Sequence, residues 1–237
     1  MATTDLNEVP VSPQEVIGQS LTHEQLVALI AASAQPLVLR QCDLAAADLS
    51  RLDLRGVQFN ACNVAETSFF SANLAHTRWD GCRAGLAEFE SADLTDAQFS
   101  HSDLNNSHWR RARLSSAAFK GCKLTGASFE EVTSLGLAFE DCLLVGADLR
   151  RLSFRKMRLL QLDLSEADIA GCDFRDAVFE GGSLRDAHMK LARFEGADLR
   201  EVRLGGLKLL DAKLFKGATI SHRQAAELVA ELGLNVA

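Results

Sequence analysis

Bulky apolar residues recur at every fifth position through most of this chain. In the stretch ADLTDAQFSHSDLNNSHWRRARL, residues 92–114, they are Leu94, Phe99, Leu104, Trp109 and Leu114. An α-helix, turning about 100° per residue, would scatter such residues around its axis, and a flat strand would send them to alternate faces. The spacing therefore excludes a single helix and a continuous strand. It predicts an all-β solenoid, in which the chain runs extended for about three residues, turns a corner and begins again.

The five-residue pattern covers most of the sequence. Counting by fives from Leu39 to Leu214 gives 36 positions without an insertion, and all except Ala84 and Ser134 hold Leu, Phe, Trp, Ile, Val or Met. The residue two places before each bulky one lies on the same inward face, and it is usually small, as close contact with a neighbouring backbone requires. Glycine often stands two places after the bulky residue, where it suits a corner with positive φ.

Three columns of residues indicate twenty residues per turn. One is a column of cysteines: Cys42, Cys62, Cys82, Cys122 and Cys142. Two are aromatic: Phe59, Trp79, Phe99, Phe119 and Phe139, then Phe69, Phe89, Trp109 and Phe129. The aromatic columns are ten residues out of step and so lie on opposite walls, which predicts a four-sided coil. About nine such coils make a rod of roughly 43 Å, and an outer charge ladder of alternating sign is expected on it. The ladder residues are Glu90, Arg110, Glu130 and Arg150.

Two places break the pattern. In EEVTSLG, residues 130–136, inward-facing Ser134 is polar, and from Phe154 onwards the aromatic residues move to a different wall. This change predicts a packing switch with a local distortion. In RAGL, residues 83–86, a bulge that turns Leu86 inwards is the second irregularity we consider.

The two ends have sequences typical of caps, which cover the open backbone of a solenoid. Residues 1–36 are interpreted as an N-terminal helical cap and residues 37–220 as the β-helix. Two short helices are expected in the cap. One begins at Ser12, with Pro13 and Glu15 in the first turn, and the other begins at Thr22, with Gln25 completing a capping box.

Residues 221–237 are interpreted as a C-terminal helix and tail. Ser221 and Gln224 have capping-box spacing, and the helix is expected to continue through about Leu232, before Gly233. Its apolar stripe and the tail after it provide five candidate dimer-interface residues: Ala226, Val229, Leu232, Leu234 and Val236. The sequence is equally compatible with a cap alone and with a cap that also joins two copies.

Composition argues against several classes of function. No apolar run approaches the roughly 18 residues that cross a membrane, and no basic secretory start is present, so a soluble cytoplasmic protein is expected. The six cysteines occupy small inward positions, where we expect core packing and no metal site. The inward positions hold no Asp, Glu, His or Lys, so we expect no enzyme and no cofactor. Without a recurring basic face, direct nucleic-acid binding is not expected either.

Repeats of the form Ala, Asp or Asn, Leu, any, any occur as ADLSR (47–51), ANLAH (72–76), ADLTD (92–96) and ADLRR (147–151). This pattern resembles the pentapeptide-repeat family over about residues 37–220. The resemblance implies a right-handed quadrilateral β-helix. It implies little about function, because the family's members have many roles.

The ending GATISHRQAAELVAELGLNV, residues 217–236, is similar to the C-terminal helix and tail of pentapeptide-repeat proteins that protect DNA gyrase from topoisomerase poisons. The resemblance implies a homodimeric rod that imitates duplex DNA and binds gyrase. The chain departs from some of these relatives in lacking projecting loops, so protection and inhibition of gyrase both remain open.

An acidic surface is needed for such imitation, but the net charge of −7 is concentrated outside the repeats, which carry only −2. The candidate acidic patch is Glu88, Glu90, Asp93, Asp96, Glu130 and Glu131. A solvated charge ladder explains these residues equally well. The competing hypothesis is a rigid scaffold for an unrelated protein partner.

Overall fold

Short extended stretches separated by corners build most of the protein in this computed structural model, which describes residues 14–205 and 213–230. The elements in chain order are β1 (Glu15–Ile17), α1 (His23–Ala32), β2 (Val38–Arg40), β3 (Gln58–Asn60), β4 (Arg78–Asp80), β5 (Gln98–Ser100), β6 (Ala118–Lys120), β7 (Ala138–Glu140), β8 (Arg158–Leu160), β9 (Val178–Glu180) and α2 (His222–Ala230). The nine strands form one parallel sheet in the order β1 to β9. From β1 to β9 the solenoid makes about eight turns.

Three further walls complete each turn, and single parallel bridges at a spacing of twenty residues hold them together. One ladder begins Asp43–Asn63–Arg83, a second Asp48–Ser68–Glu88 and a third Asp53–Asn73–Asp93. Together with the sheet these make four walls, so the predicted four-sided coil is confirmed. Corner residues such as Gly56 (φ 68°) and Gly126 (φ 68°) have the positive φ expected there.

The core is the interior of the coil, where the two aromatic columns face each other. Trp79 stacks between Phe59 and Phe99, with ring-centroid distances of 3.9 and 5.3 Å. Across the interior it meets the edge of Phe69 at 5.6 Å and 90°. Stacking within a column and edge-to-face contact between columns are both favourable arrangements for aromatic rings. The predicted columns are therefore confirmed.

The N-terminal end differs from the prediction. The helix expected to begin at Ser12 is wrong where the structure describes it, because Glu15–Ile17 is strand β1 and pairs in parallel with β2. Val16 is buried beside Leu39, so pairing with the exposed edge of β2 outweighs the local helix signal. The second helix is confirmed as α1, whose capping box joins Thr22 and Gln25.

The register between coils is interrupted after Glu130. Thr133 bridges Arg113 below it, and Ser153 bridges Asp173 above it, but Thr133 and Ser153 do not bridge each other. Strand β7 likewise meets β8 at a single pair, Glu140 and Leu160. We call the opening between residues 131–136 and 150–158 the coil gap. It confirms the predicted local distortion.

Side-chain size explains the coil gap. In the three turns before the gap this wall pairs a small inward residue with a large one, as in Ala92 with Leu94, but here Val132 is followed by Ser134 and Leu152 by Phe154. Leu152 and Phe154 are both large, whereas Ser134 is too small to fill the position that a large residue usually occupies. The two turns therefore cannot pack with the regular spacing at this wall. Phe154 instead stacks on Phe174 at 5.0 Å and lies tilted by 48° to Phe139.

The bulge considered for residues 83–86 is wrong. Ala84 is fully buried at the regular inward position, and Leu86 is 49% exposed with the φ of 59° typical of a corner. The coil keeps its regular hydrogen bonds there, since Leu86 N–H donates to the Asn105 carbonyl at 2.9 Å.

The last turn gains one residue. Asp198 bridges Thr219, twenty-one residues on, and Phe215 rather than Leu214 stacks on Phe194, at 4.7 Å. The prediction of an unbroken register to Leu214 is therefore wrong in this turn. Helix α2 follows directly and begins after Ser221, as predicted. Within residues 14–205 and 213–230, no helix is long and apolar enough to span a membrane.

Candidate partner-binding surfaces

The predicted charge ladder forms in part on the outer surface. Arg110 lies between two carboxylates, with its guanidinium 3.9 Å from Glu90 and 3.8 Å from Glu130. Arg150 pairs instead with Asp148 at 2.5 Å and Asp168 at 3.7 Å. The ladder thus stops at the coil gap, where the turn above Glu130 is displaced.

Three other members of the acidic patch also lie close to basic side chains. Arg111 Nε donates to Glu131 at 2.8 Å and lowers the pKa of that carboxyl. Asp93 pairs with Arg113, and Asp96 lies 3.6 Å from His76 Nδ1.

Glu88 lies on the wall beside His108, and no ion pair joins it to another described residue. The structure therefore places the six predicted residues on neighbouring turns, where three arginines balance about half of their charge.

The C-terminal helix is anchored to the end of the solenoid by a residue with two functions. Gln224 Oε1 accepts a hydrogen bond from Ser221 N–H at 2.6 Å, as the capping box predicts. Its Nε2 donates to the Leu199 and Val202 carbonyls at 2.7 and 2.6 Å, groups that no further coil covers. This second function of Gln224 was not predicted, because nothing in the local sequence pattern points to a distant carbonyl.

Among the predicted dimer residues, Ala226 and Val229 lie on α2 and are half-buried. The remaining three, Leu232, Leu234 and Val236, lie outside the described residues. The structure therefore provides only the first part of the predicted dimer surface.

The cysteines are all free and buried in the core. Interaction between the thiols of Cys62 and Cys82 lowers the pKa of Cys62 and, together with burial, raises that of Cys82. Burial raises the pKa of Cys172 to about 12. In the described part of the chain, no three His, Cys, Asp or Glu side chains are grouped so that they could hold a metal ion.

The coil gap is the surface feature that sequence reasoning identified only as a distortion. It contains a cleft of about 440 Å³, lined by apolar Phe129, Val132 and Leu152 at its base and by charged groups at its rim. The upper rim, RRLSFRKMR at residues 150–158, carries five cations in nine residues. The lower rim, residues 131–136 with the preceding Glu130, carries two carboxylates.

Comparison with known proteins agrees with this architecture. The pentapeptide repeat region model matches residues 38–109 and 112–189, and a model of eight pentapeptide repeats matches residues 92–130. No curated protein matches the sequence.

Solved structures of QnrB1, a plasmid-mediated fluoroquinolone resistance protein, are similar in fold. One trypsin-treated variant aligns with a TM-score of 0.73 at 23% identity, covering 82% of this chain and 97% of that one. A second trypsin-treated variant gives 0.70 at 20% identity and covers 95% of this chain and 98% of that one.

The full-length protein gives 0.61 at 19% identity, with 94% and 98% covered. At these identities the likeness concerns the fold. Each turn has four walls of five residues, and the family models span more than half of the chain. The chain therefore belongs to the pentapeptide-repeat family.

Proposed function

We propose that this protein binds DNA gyrase or a related type II topoisomerase as a DNA-like rod and confers resistance to topoisomerase poisons in the cytoplasm. The observation that carries the proposal is the extent of the structural likeness to QnrB1, which covers 94–95% of this chain in two of the aligned structures. The gyrase-protecting type of C-terminal segment adds a second argument. The mechanism is surface recognition by a preformed rod, without a catalytic step.

A homodimer is part of this proposal. Helix α2 lies at the end of the solenoid, where Gln224 fixes it against the last turn. Two copies joined through the exposed side of α2 and the tail would double the rod to roughly 86 Å, about 25 base pairs of DNA at 3.4 Å each.

A specific observation favours the alternative of a scaffold for an unrelated protein. Arg110, Arg111 and Arg113 balance about half of the six carboxylates of the acidic patch, whereas a phosphate-like surface needs unbalanced negative charge. Local balance weakens long-range attraction to a DNA-binding enzyme, although close contacts remain available.

Assays with purified gyrase distinguish gyrase binding from the scaffold alternative. Supercoiling and drug-induced DNA cleavage are measured with increasing protein, with and without a fluoroquinolone. Less cleavage in the presence of drug supports protection, and less supercoiling without drug supports gyrase inhibition. No effect of micromolar protein in either assay favours the scaffold.

Charge variants sharpen the gyrase assay. Glu88→Lys and Glu90→Lys reverse charge within the acidic patch, and Glu166→Lys, exposed on a corner outside the patch, is the matched control. Loss of the effect in the patch variants alone would assign the gyrase-binding face.

A further inference from the structure

The coil gap leaves a run of backbone groups without partners from the neighbouring turn. One turn earlier, N–H groups of Arg111, Leu114 and Ser116 donate to the turn above, at 2.8–2.9 Å. Their equivalents across the gap, Glu131, Ser134 and Gly136, make no such bonds. From the other side, Ser153 and Arg158 lack the bonds that Thr133 and Ala138 make to the turn below them.

Both sides of the coil gap are nevertheless firmly held. Thr133 N–H donates to Ala112 below at 3.0 Å, and Phe154 N–H donates to the Asp173 carbonyl above at 2.8 Å. The gap is thus a fixed opening between two ordered edges. An unpaired row of N–H and C=O groups is a template for another extended chain.

Charge defines what kind of chain fits. Arg151 and Lys190 line the cleft, both are exposed, and neither forms an ion pair with a described residue. The carboxylates at the opposite rim are engaged, because Glu130 pairs with Arg110 and Glu131 with Arg111. The available charge in the coil gap is therefore positive.

Apolar side chains in the cleft provide further contacts for a bound chain. Val132 and Leu152 lie at the base of the cleft, and Leu191 at its edge is 73% exposed. Glu131 and Gly136 are corners with φ of 55° and 75°, so a segment of about four extended residues, roughly 13 Å, would match the straight edge at residues 132–135.

We propose that the coil gap binds an extended acidic peptide segment of a partner protein. Its backbone pairs with the interrupted ladder, and its carboxylates pair with Arg151 and Lys190. A nucleic-acid strand fits less well, since it has no row of amide N–H and C=O groups to pair with the interrupted ladder. This inference is independent of the proposed gyrase binding.

The test measures fluorescence anisotropy of a labelled peptide of about eight residues with alternating Glu and Thr, added to the full chain. Saturable binding is expected, and the same peptide with Lys in place of Glu should bind at least about tenfold more weakly. No binding of the acidic peptide up to about 1 mM would overturn the proposal. So would equal or tighter binding of a labelled oligothymidylate.

Variants and hydrogen exchange locate the site. Arg151→Glu with Lys190→Glu should weaken binding by about tenfold or more, whereas Lys123→Glu, an exposed residue on another wall, should leave it unchanged. Saturating acidic peptide should slow exchange of the amides of Glu131, Ser134, Gly136 and Ser153. If the peptide binds while these amides exchange at unchanged rates, it does not complete the ladder, and the proposal is wrong.

Discussion

At the scale of single residues, each of the two tryptophans carries its own buried polar partner. Trp79 Nε1 donates to Thr77 Oγ1 at 2.9 Å, and that hydroxyl donates in turn to the Leu74 carbonyl at 2.7 Å. Trp109 repeats the arrangement with Ser107 at 2.8 Å. The hydroxyl of the residue two places before each tryptophan therefore accepts a hydrogen bond from the indole N–H, which would otherwise be buried without a partner.

Replacing Thr77 with valine keeps the shape of the side chain and removes its hydroxyl. Because the indole N–H of Trp79 then has no partner in the core, we expect a loss of about 1–3 kcal/mol in the free energy of unfolding. Urea denaturation followed by tryptophan fluorescence measures it, and Thr77→Ser, which retains the hydroxyl, should lose less. Equal stability of Thr77→Val and the unmodified protein would show that this bond contributes nothing.

Outside the core, aspartates pair with the arginine two places later. Asp173 accepts from Arg175 Nε at 2.8 Å and from Nη2 at 2.5 Å, and these bonds lower the pKa of Asp173 to about 2. A carboxyl whose pKa is lower in the folded state stabilises the fold above its unfolded pKa of about 3.9, and this contribution disappears as the pH falls towards 2.

The variant Asp173→Asn should therefore lose less stability than the unmodified protein between about pH 4 and pH 2. The expected difference is about 1 kcal/mol, because the pair is partly exposed and screened by solvent. Urea denaturation at a series of pH values measures it. Asp141→Asn, an exposed aspartate without an ion pair to a described residue, is the control; if both variants change the pH dependence equally, the Arg175 pair is not its cause.

At the scale of elements, the sequence predicted what depends on short-range patterns. The five-residue spacing predicted the walls, and the spacing of Thr22 to Gln25 and of Ser221 to Gln224 predicted both described helix starts. Strand β1 was missed because its pairing with β2 lies 23 residues along the chain, beyond any local signal. The cations of the coil gap were visible in the sequence, but the unpaired backbone between them depends on how two whole turns pack.

The attachment of α2 is testable through the two functions of Gln224. In Gln224→Glu the carboxylate can still accept the capping bonds from Ser221, but it cannot donate to the carbonyls of Leu199 and Val202. We expect a loss of about 1–3 kcal/mol and faster hydrogen exchange in α2. Arg223→Ala, on the exposed side of the same helix, should change stability by less than about 0.5 kcal/mol. Unchanged exchange in Gln224→Glu would mean that other contacts hold the helix.

At the scale of the whole molecule, an open-ended solenoid exposes unpaired backbone groups at each end. Unless these ends are covered, further copies can add to them and form fibres. Helix α1, with Leu26 fully buried, covers one end, and α2 covers the other. The candidate dimer residues Ala226 and Val229 lie on this second cover, so in the proposed dimer the surface that ends one rod would also contact the second copy.

The variant Val229→Asp with Leu232→Asp should be a folded monomer in light scattering, because two buried carboxylates at a shared interface would repel each other. Circular dichroism checks that the fold is retained. Glu227→Lys, exposed on the same helix, should leave the mass of the unmodified protein unchanged. A double variant with the mass of the unmodified protein would exclude this interface.

The strict repeat also has a consequence for how such a chain can change its length. From β2 to β7, every position recurs after twenty residues on the same wall, so an in-frame loss or duplication of one turn would leave every remaining side chain facing as before. The distance between the two ends would then vary in increments of about 4.8 Å. The extra residue before Thr219 ends this freedom, because a copy of the final turn would not superpose on the turn beneath it.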